Sequence, residues 1–248
     1  MNEISNLSVL KNNGIECNTH HREIKSFVRR EGRVTQGQGR ALEELLPIYG
    51  IEFNVSRRLD LEIIFGNTNP VWVEIGFGMG HSLAEMAQAM PKINFLGIEV
   101  HRPGVGSLLN EIEARRLTNI RIMSHDAVEV LKYMIPELAL ARVLLFFPDP
   151  WHKTKHHKRR IVQPSFLSLI ASRLQGGGVF HAATDWQPYA EWMLEAFAQV
   201  PVFDNIAGVG QYAPKPDYRP VTKFERRGLR LGHGVWDLLF EKPDFECQ

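Results

Sequence analysis

The stretch VWVEIGFGMGHSLAEMAQAM, residues 71–90, decides the fold. Four apolar residues surround Glu74, the glycines Gly76, Gly78 and Gly80 follow at alternate positions, and the remainder places apolar side chains at helical spacing. Glycines let the backbone turn sharply and approach a ligand closely, beside the free amides of a helix start. The stretch therefore predicts a strand, a ligand-binding turn and a helix.

Alternating strands and helices continue downstream of this unit. The predicted strands are 71–75, 93–98, 120–123, 142–147 and 178–183, and the predicted helices are 82–90, 104–116, 126–134, 164–174 and 187–199. Strand followed by helix, repeated along the chain, is typical of the α/β class and predicts a doubly wound, mostly parallel sheet with ligands at the carboxyl ends of its strands. The run 235–241 predicts a last strand, antiparallel at the sheet edge.

The residues before the sheet divide into two parts. Residues 1–20 are polar, asparagine-rich and without periodicity, which predicts disorder. Thr35 and Gln38 have capping-box spacing and predict a helix through Leu46. We therefore expect a flexible basic leader at 1–34 and a single domain at 35–248.

Positive charge is concentrated in three segments of a chain whose formal net charge is +1. Residues 21–40 carry six Lys or Arg against two acids, residues 152–160 carry five against none, and residues 215–232 carry six against two. The three segments together carry +13 and the rest of the chain −12. This segregation indicates basic surfaces that contact a polyanion, although a single charge run is more often a solvated face.

Composition argues against several classes of protein. The cysteines Cys17 and Cys247 form neither a disulfide framework nor a CxxC metal pattern, so we expect a reducing compartment. Residues 1–20 contain no secretory apolar region, and no later apolar run approaches the roughly 20 residues of a membrane helix. We expect a cytoplasmic protein without membrane or metal, either a monomer or a weak homodimer.

Acids near three consecutive strand ends narrow the choice of ligand. A glycine loop serves NAD, FAD or S-adenosylmethionine, but His81 stands where the dinucleotide fingerprint wants glycine or alanine. Glu74 completes an ExGxGxG pattern, which is typical of S-adenosylmethionine enzymes. Glu99 stands where a doubly wound fold places an acid on ribose hydroxyls, and Asp126 stands where the adenine would lie. Asp126 could equally be the N-cap of the helix that follows it.

The fourth strand runs into the segment LLFFPDPWHKTKHHKRR, residues 144–160. Pro148 and Pro150 hold Asp149 by covalent geometry, at the point where the strand order should reverse. We interpret Asp149 as a positioned site acid rather than as part of a proline turn that only ends a strand. Trp151 could stack on a base or could be a packing anchor.

The charged residues that follow Trp151 fit a nucleic acid. They are Lys153, Lys155, Lys158, Arg159 and Arg160, with His152, His156 and His157 among them. Each phosphate that they neutralise should add about 0.7 to the salt dependence of log K for a single strand. The histidines lack metal-ligand spacing and a carboxylate or cysteine partner set, which argues against zinc.

Several motifs together resemble the bacterial tRNA (guanine-N7)-methyltransferase family, whose fold is the Rossmann-like class I methyltransferase. They are EIGFGMG at 74–80, GIEVH at 97–101, PDPWHK at 148–153, TDW at 184–186 and TKFERRG at 222–228. The basic stretch SFVRREGR at 26–33 is also similar to the leader of that family. The resemblance covers roughly residues 25–241, and PDPWHK and TKFE are its most specific parts.

The resemblance implies S-adenosylmethionine as the cofactor and a guanine at position 46 of the tRNA variable loop as the substrate. It implies cofactor contacts by Glu74, Glu99, Asp126 and Asp149. It implies substrate contacts by Lys153, Asp185, Thr222, Lys223, Phe224 and Glu225, and RNA contacts by Lys155, His156, His157, Lys158, Arg159 and Arg160.

The chemistry of guanine sets the role of these acids. N7 carries a lone pair and no proton, so its in-line attack on a sulfonium methyl needs no general base, and Asp149 is expected to orient the guanine. Asp185 could accept from the N1–H and amino edge of guanine or could cap the following helix. Glu225 could accept from the same edge or form a surface ion pair with Arg226 or Lys223.

The sequence leaves two other functions open. The chain could be an S-adenosylmethionine enzyme for a small acidic metabolite, although such a substrate would not need three basic segments. It could also be a noncatalytic RNA-binding module, although intact glycines and four strand-end acids argue against that.

Overall fold

The computed structural model describes residues 25–27, 32–222, 225–226 and 234–244. The strands are β1 (Val71–Ile75), β2 (Asn94–Ile98), β3 (Ile120–Met123), β4 (Leu140–Phe146), β5 (Leu174–Thr184), β6 (Asp204–Asn205) and β7 (Trp236–Glu241). The helices are α1 (Gln36–Glu44), α2 (Leu46–Tyr49), α3 (Leu61–Phe65), α4 (His81–Ala89), α5 (Arg102–Arg115), α6 (Ala127–Tyr133), α7 (Pro164–Arg173) and α8 (Gln187–Ala198), with a 3-10 segment, η1 (Thr154–Arg159).

The strands form one sheet in the order β3-β2-β1-β4-β5-β7-β6. Strands β1 to β5 pair in parallel, whereas β7 is antiparallel to both β5 and β6. This order confirms the predicted doubly wound, mostly parallel sheet. The chain order reverses between β1 and β4, which places the carboxyl end of β4 at the switch point where ligands of such sheets bind.

Strand β1 is buried along its whole length because helices cover both faces of the sheet. Val71, Val73 and Ile75 belong to one apolar cluster, and Trp72 belongs to the other. Successive side chains of a strand point to opposite faces, so Glu74 shares the face of Trp72. A carboxylate is therefore placed inside the protein, two residues before the first glycine of the loop.

The predicted helix through Leu46 is interrupted. Both bonds of the predicted capping box between Thr35 and Gln38 are present, but α1 ends at Glu44 and α2 begins at Leu46. Pro47 occupies the first turn of α2, where its missing amide hydrogen costs nothing. Helix α3 and the two-residue β6 have no clear sequence signal and were not predicted. Because β6 is the outermost strand, β7 lies second from the edge.

The predicted disorder of residues 1–20 lies outside the described residues, and the division at residue 34 stays a prediction. No helix in the described part of the chain is both long and apolar enough to span a membrane.

Candidate active site at the strand switch point

Two adjoining cavities open at the carboxyl ends of the parallel strands. The first has a volume of about 260 Å³ and the second about 670 Å³. Four residues line both cavities: Phe27, Glu99, Val100 and Asp149. Gly76 and Asp126 line the first cavity only, and Lys153 lines the second only. Asp149 therefore lies at the junction of two spaces that could hold two ligands.

The three loop glycines have different tasks. All have left-handed backbones, with φ of +72° at Gly76, +58° at Gly78 and +77° at Gly80, which side chains rarely adopt. A side chain at Gly80 would also come within 2.6 Å of Cβ of Leu108, so this glycine lets α5 pack against the loop. Gly76 borders the first cavity, whereas Gly78 and Gly80 shape the turn.

Glu99 is held in place by backbone amides. Its Oε2 accepts from the amide of Gly78 at 2.9 Å, and its Oε1 accepts from Val100 at 2.7 Å and His101 at 2.9 Å. Three donors fix the carboxylate at the rim that separates the cavities, with acceptor capacity left for ligand hydroxyls. This geometry fits the ribose role that the sequence predicts.

Glu74 is a buried acid that lacks a partner. The side chain is 3% exposed, and no described residue bonds its Oε2. Burial, and then the nearby charge of Glu99, raise the pKa of Glu74 to about 8. An unpaired buried carboxylate is costly, so the protonated form is favoured. Glu74 lies two residues before Gly76 and lines neither of the two cavities.

Asp126 is the N-cap of α6 and lies at the wall of the first cavity, and its contact with adenine stays a prediction. Its Oδ1 accepts from the amide of Val128 at 3.0 Å, so it is the N-cap of α6, and it also lines the first cavity. Its Oδ2 lies 3.3 Å from Nζ of Lys25. The cap fixes the carboxylate at the cavity wall.

Ser26 and Phe27 form part of the wall of the first cavity, which sequence reasoning did not predict. The carbonyl of Ser26 accepts from Nε1 of Trp151 at 3.1 Å, and the carbonyl of Phe27 accepts from Arg159 at 3.2 Å. The guanidinium of Arg159 lies 4.2 Å from the centre of the Trp151 ring. Trp151 is thus a packing anchor, one of the two roles considered for it.

The turn that carries Asp149 is fixed from several sides. Phe147 and Trp151 flank it with φ of +52° and +47°, conformations that cost about 1–3 kcal/mol each and that often mark functional sites. The carbonyl of Pro150 accepts from Nε of Arg160 at 2.9 Å. Asp149 itself is exposed to the cavities.

The basic segment is divided between solvent and core. His152, Lys153, Lys155 and Lys158 are exposed, and we call these four residues the basic flap. Burial and the neighbouring cations lower the pKa of His156, which favours its neutral form. The permanent positive charge of the flap therefore comes from its lysines.

The prediction that Arg160 contacts RNA is wrong. Arg160 is only 4% exposed, with its guanidinium about 5 Å from the rings of Tyr189 and Trp192. A cation in that position fastens the Asp149 turn to α8 and cannot reach a phosphate. Arg159 is half-buried against Trp151, so it is less accessible to a phosphate than the exposed lysines are.

The strand next to Asp149 contributes Asp185. This residue follows β5 and is half-buried, and no described residue bonds its carboxylate. The N-cap of α8 is Trp186, without a side-chain cap, so the alternative in which Asp185 caps the helix is wrong. Its carboxylate is available to a ligand.

The TKFE motif contains a capping box. The amide of Glu225 donates to Oγ1 of Thr222 at 3.0 Å, and the amide of Thr222 donates to Oε2 of Glu225 at 3.3 Å. Glu225 is 3% exposed and pairs with Arg219 through both carboxylate oxygens, at 2.8 and 2.9 Å. The alternative of a surface ion pair is therefore wrong. Lys223 and Phe224 lie outside the described residues.

Arg219 is the centre of a buried network, named here the Arg219 network, that comprises Arg219, Glu225, Asp237, His181 and Tyr218. Arg219 also makes two bonds to Asp237, of 2.7 and 2.9 Å. Nε2 of His181 lies 2.8 Å from Oδ1 of Asp237, and its Nδ1 lies 2.7 Å from the hydroxyl of Tyr218. Sequence reasoning missed His181, Arg219 and Asp237. The available signal was the presence of His181 and Asp237 inside apolar strands.

The charged groups of the Arg219 network stabilise one another. Burial lowers the pKa of His181, so it is neutral and can donate to Asp237 while accepting from Tyr218. Burial alone would raise the pKa of Asp237, but bonds from His181 and Arg219 outweigh it and hold this pKa below its usual range. The result is a fixed support for the TKFE segment.

Comparison with known proteins identifies the family. A family model described as "Putative methyltransferase" matches residues 68–238. The tRNA (guanine-N(7)-)-methyltransferase of Pseudomonas syringae pv. syringae is 57% identical over 224 residues, which are 90% of this chain and 91% of that protein. Those of Aeromonas hydrophila subsp. hydrophila and Aliivibrio salmonicida are 58% and 56% identical, over 89% and 94% of this chain and 93% and 98% of their own lengths. This chain belongs to the tRNA (guanine-N7)-methyltransferase family.

Solved structures of low sequence identity show the same fold. The 16S rRNA methyltransferase KamB matches with a TM-score of 0.54 and 14% identity, over 75% of this chain and 95% of KamB. An antibiotic-related methyltransferase matches with a TM-score of 0.51 and 14% identity, over 77% and 96% of the two chains. Both comparisons support the Rossmann-like methyltransferase fold, and the tRNA (guanine-N7)-methyltransferase family is shown by the sequence relatives alone.

Some of the candidate residues of this tRNA (guanine-N7)-methyltransferase family member line the two cavities, whereas Glu74, Gly78, Gly80, Asp185, Thr222 and Glu225 line neither. Glu99, Asp126 and Asp149 meet around the first cavity, and Lys153 lies across the second. Among the residues that the structure describes, no group of three or more His, Cys, Asp or Glu side chains could hold a metal ion.

Proposed function

We propose that the protein transfers a methyl group from S-adenosylmethionine to N7 of a guanine in tRNA, at position 46 of the variable loop. The position of Asp149 between two cavities is the observation that carries this proposal. Relatives named as tRNA (guanine-N7)-methyltransferases support tRNA as the substrate and guanine N7 as the acceptor atom. Position 46 follows from the family resemblance of the motifs.

The first cavity has the donor and acceptor groups that S-adenosylmethionine requires. Glu99 would accept from the ribose hydroxyls and Asp126 would contact the adenine end. Glu74 does not line the cavity, but it lies two residues before Gly76 and is proposed to pair with the ammonium. Gly76 allows the backbone to approach the ligand closely. When bound, the cofactor supplies an electrophilic methyl group on a sulfonium ion.

Asp149 acts by placing the guanine. N7 has a lone pair and no proton, so the new C–N bond forms as the C–S bond breaks, and the positive charge passes from sulfur to the base. No proton has to leave, and a general base has no task in this step. A carboxylate at the junction of the cavities can orient the guanine and stabilise the charge that develops on it.

Asp185 would bind the guanine edge, and the basic flap would bind the phosphates. The carboxylate of Asp185 can accept from N1–H and the amino group, which distinguishes guanine from adenine. Lys153, Lys155 and Lys158 are exposed along one segment and can follow an RNA backbone. The capping box joins Thr222 to Glu225, and we propose that it holds this segment near the bound guanine.

Labelled S-adenosylmethionine and unmodified tRNA test the function directly. We expect label in tRNA at N7 of guanine 46, and a transcript with adenine at that position should accept none. Label elsewhere in the tRNA would disprove the position, and absence of label in RNA would disprove the function.

The Asp149→Ala variant tests the role of the acid. We expect a loss of kcat on the order of 100-fold, because the base is no longer held for in-line attack. Glu195→Ala, which removes an exposed acid of α8, is the matched control and should keep full activity. Full activity of Asp149→Ala would remove Asp149 from the site.

A further inference from the structure

Trp186 is the most exposed of the five tryptophans, with 38% of its surface accessible. We propose that Trp186 stacks on the guanine that receives the methyl group. This role rests on the proposed function and identifies the side chain that supports the face of the base.

The other tryptophans next to the site have fixed structural contacts. The indole N–H of Trp151 donates to the carbonyl of Ser26. The indole N–H of Trp192 donates to the carbonyl of Val162 at 2.8 Å. The indole N–H of Trp186 meets no acceptor in the described part of the chain. An exposed indole without such a bond is available to a ligand.

Trp186 directly follows Asp185 at the end of β5, the strand that pairs with β4, which leads to Asp149. The amide of Phe147 donates to the carbonyl of Ala183 at 2.7 Å and joins the ends of β4 and β5. Asp149 and Asp185 each lie two residues beyond this bond, and Trp186 is the next residue after Asp185. The indole is thus placed where the polar edge of a bound guanine would be recognised.

The ring of His152 orients the indole. The two rings are perpendicular, with an interplanar angle of 83° and centroids 4.3 Å apart. A perpendicular contact covers at most one face of the indole, so a face remains for a base. His152 belongs to the basic flap, so a strand of RNA on the flap would bring its base towards Trp186.

Local structure does not require an indole at this position. The amide of Trp186 donates to Oγ1 of Thr184, and its carbonyl accepts from the amides of Tyr189 and Ala190. These bonds use the backbone of residue 186 and any side chain would permit them.

Stacking on Trp186 would assist the reaction as well as the binding. Methylation at N7 gives the base a positive charge, and the face of an indole attracts cations. Trp186 would therefore bind the transition state more tightly than neutral guanine, and its removal should lower kcat as well as raise KM.

Three substitutions at this position test the proposal in a tRNA methylation assay. Trp186→Ala should lower kcat/KM for tRNA by about ten-fold or more, as expected for loss of a stacked base. Trp186→Phe should retain most of the activity because it keeps an aromatic face. Trp186→Leu should behave like the alanine variant because it keeps apolar bulk without that face. Affinity for S-adenosylmethionine and the urea midpoint should not change in any variant.

Fluorescence gives a readout that is independent of turnover. Addition of tRNA should quench wild-type emission more than that of Trp186→Phe, since only the wild type has an indole under the base. A fully active Trp186→Ala, an equally active Trp186→Leu, or a loss of cofactor affinity or stability would overturn the stacking role. A wild type that methylates no tRNA would instead disprove the proposed function, and the quenching comparison would then decide the stacking role alone.

Discussion

Cations from two basic segments of the sequence lie in opposite environments in the structure. The basic flap at 152–158 presents its lysines to solvent, with no acid among the residues 152–160. The Arg219 network draws its central residue from the segment 215–232, and this arginine is 1% exposed and paired with two carboxylates. The exposed lysines of the flap offer charge to a partner, whereas Arg219 neutralises carboxylates inside the protein.

The difference separates charge that is free to bind a polyanion from charge that stabilises the fold. Free lysines lose little on binding phosphate because their charge is not already committed. Arg219 has four of its five N–H groups bonded to carboxylate oxygens and holds the TKFE segment against β7. Charge in the flap should therefore govern RNA affinity, and charge in the Arg219 network should govern stability.

Arg219→Met should give the largest effect. It leaves Glu225 and Asp237 buried without their cation, which should lower the free energy of unfolding by about 3–5 kcal/mol. Urea unfolding measures the change. Lys158→Met removes one exposed charge with the same replacement and should alter stability by less than about 0.5 kcal/mol. Equal free energies of unfolding for the two variants would show that Arg219 stabilises the fold no more than an exposed lysine of the flap does.

Glu74→Gln should give the next largest effect on stability. Glu74 is a buried acid outside the Arg219 network, and no cation of the described residues pairs with it. An unfolded glutamate ionises above about pH 4.5, whereas the folded Glu74 keeps its proton to about pH 8. The unfolded chain thus binds fewer protons in this window, and the stability of the cofactor-free protein falls as pH rises through it.

Glutamine does not titrate, so this pH dependence should flatten. At about pH 8 the variant should be more stable than the wild type by about 4 kcal/mol, and near pH 4.5 the two should be alike. Urea unfolding of the cofactor-free proteins at both pH values is the measurement. Affinity for S-adenosylmethionine should fall at the same time, since the ammonium would lose its carboxylate. An unchanged pH profile would show that Glu74 is solvated or already paired.

The sequence was sufficient where local chemistry decides the structure. Apolar periodicity placed β1 and β3 to the residue, and strand-end position brought Glu99 and Asp149 to one site. These features depend on neighbours within a few residues or on the rule that parallel strands end at one edge of the sheet.

Contacts between distant segments could not be predicted. Trp151 and Ser26 are 125 residues apart, and His181 and Asp237 are 56 apart. Arg160 is adjacent to exposed cations in the sequence, and only the rings of α8 determine that it is buried. A charge run indicates how much charge is present, whereas tertiary packing decides which members reach solvent.

The smallest effect on stability should accompany a clear effect on RNA binding. Lys155→Ala with Lys158→Ala removes two exposed cations of the flap, and each lost phosphate contact should reduce the salt slope of log K by about 0.7. Stability should change by less than about 0.5 kcal/mol, and affinity for S-adenosylmethionine should not change. Titration of tRNA at several salt concentrations measures the slope.

Lys92→Ala is the matched control for the flap variant, because Lys92 is equally exposed but precedes β2, at the opposite edge of the sheet. It should leave the salt slope at its wild-type value. If both variants lowered the slope equally, RNA attraction would come from the overall charge of the protein. A lower salt slope in the flap variant alone would show that the position of an exposed lysine determines whether it binds RNA. Exposed lysines beside the carboxyl ends of the strands would then bind RNA, and Lys92 would not.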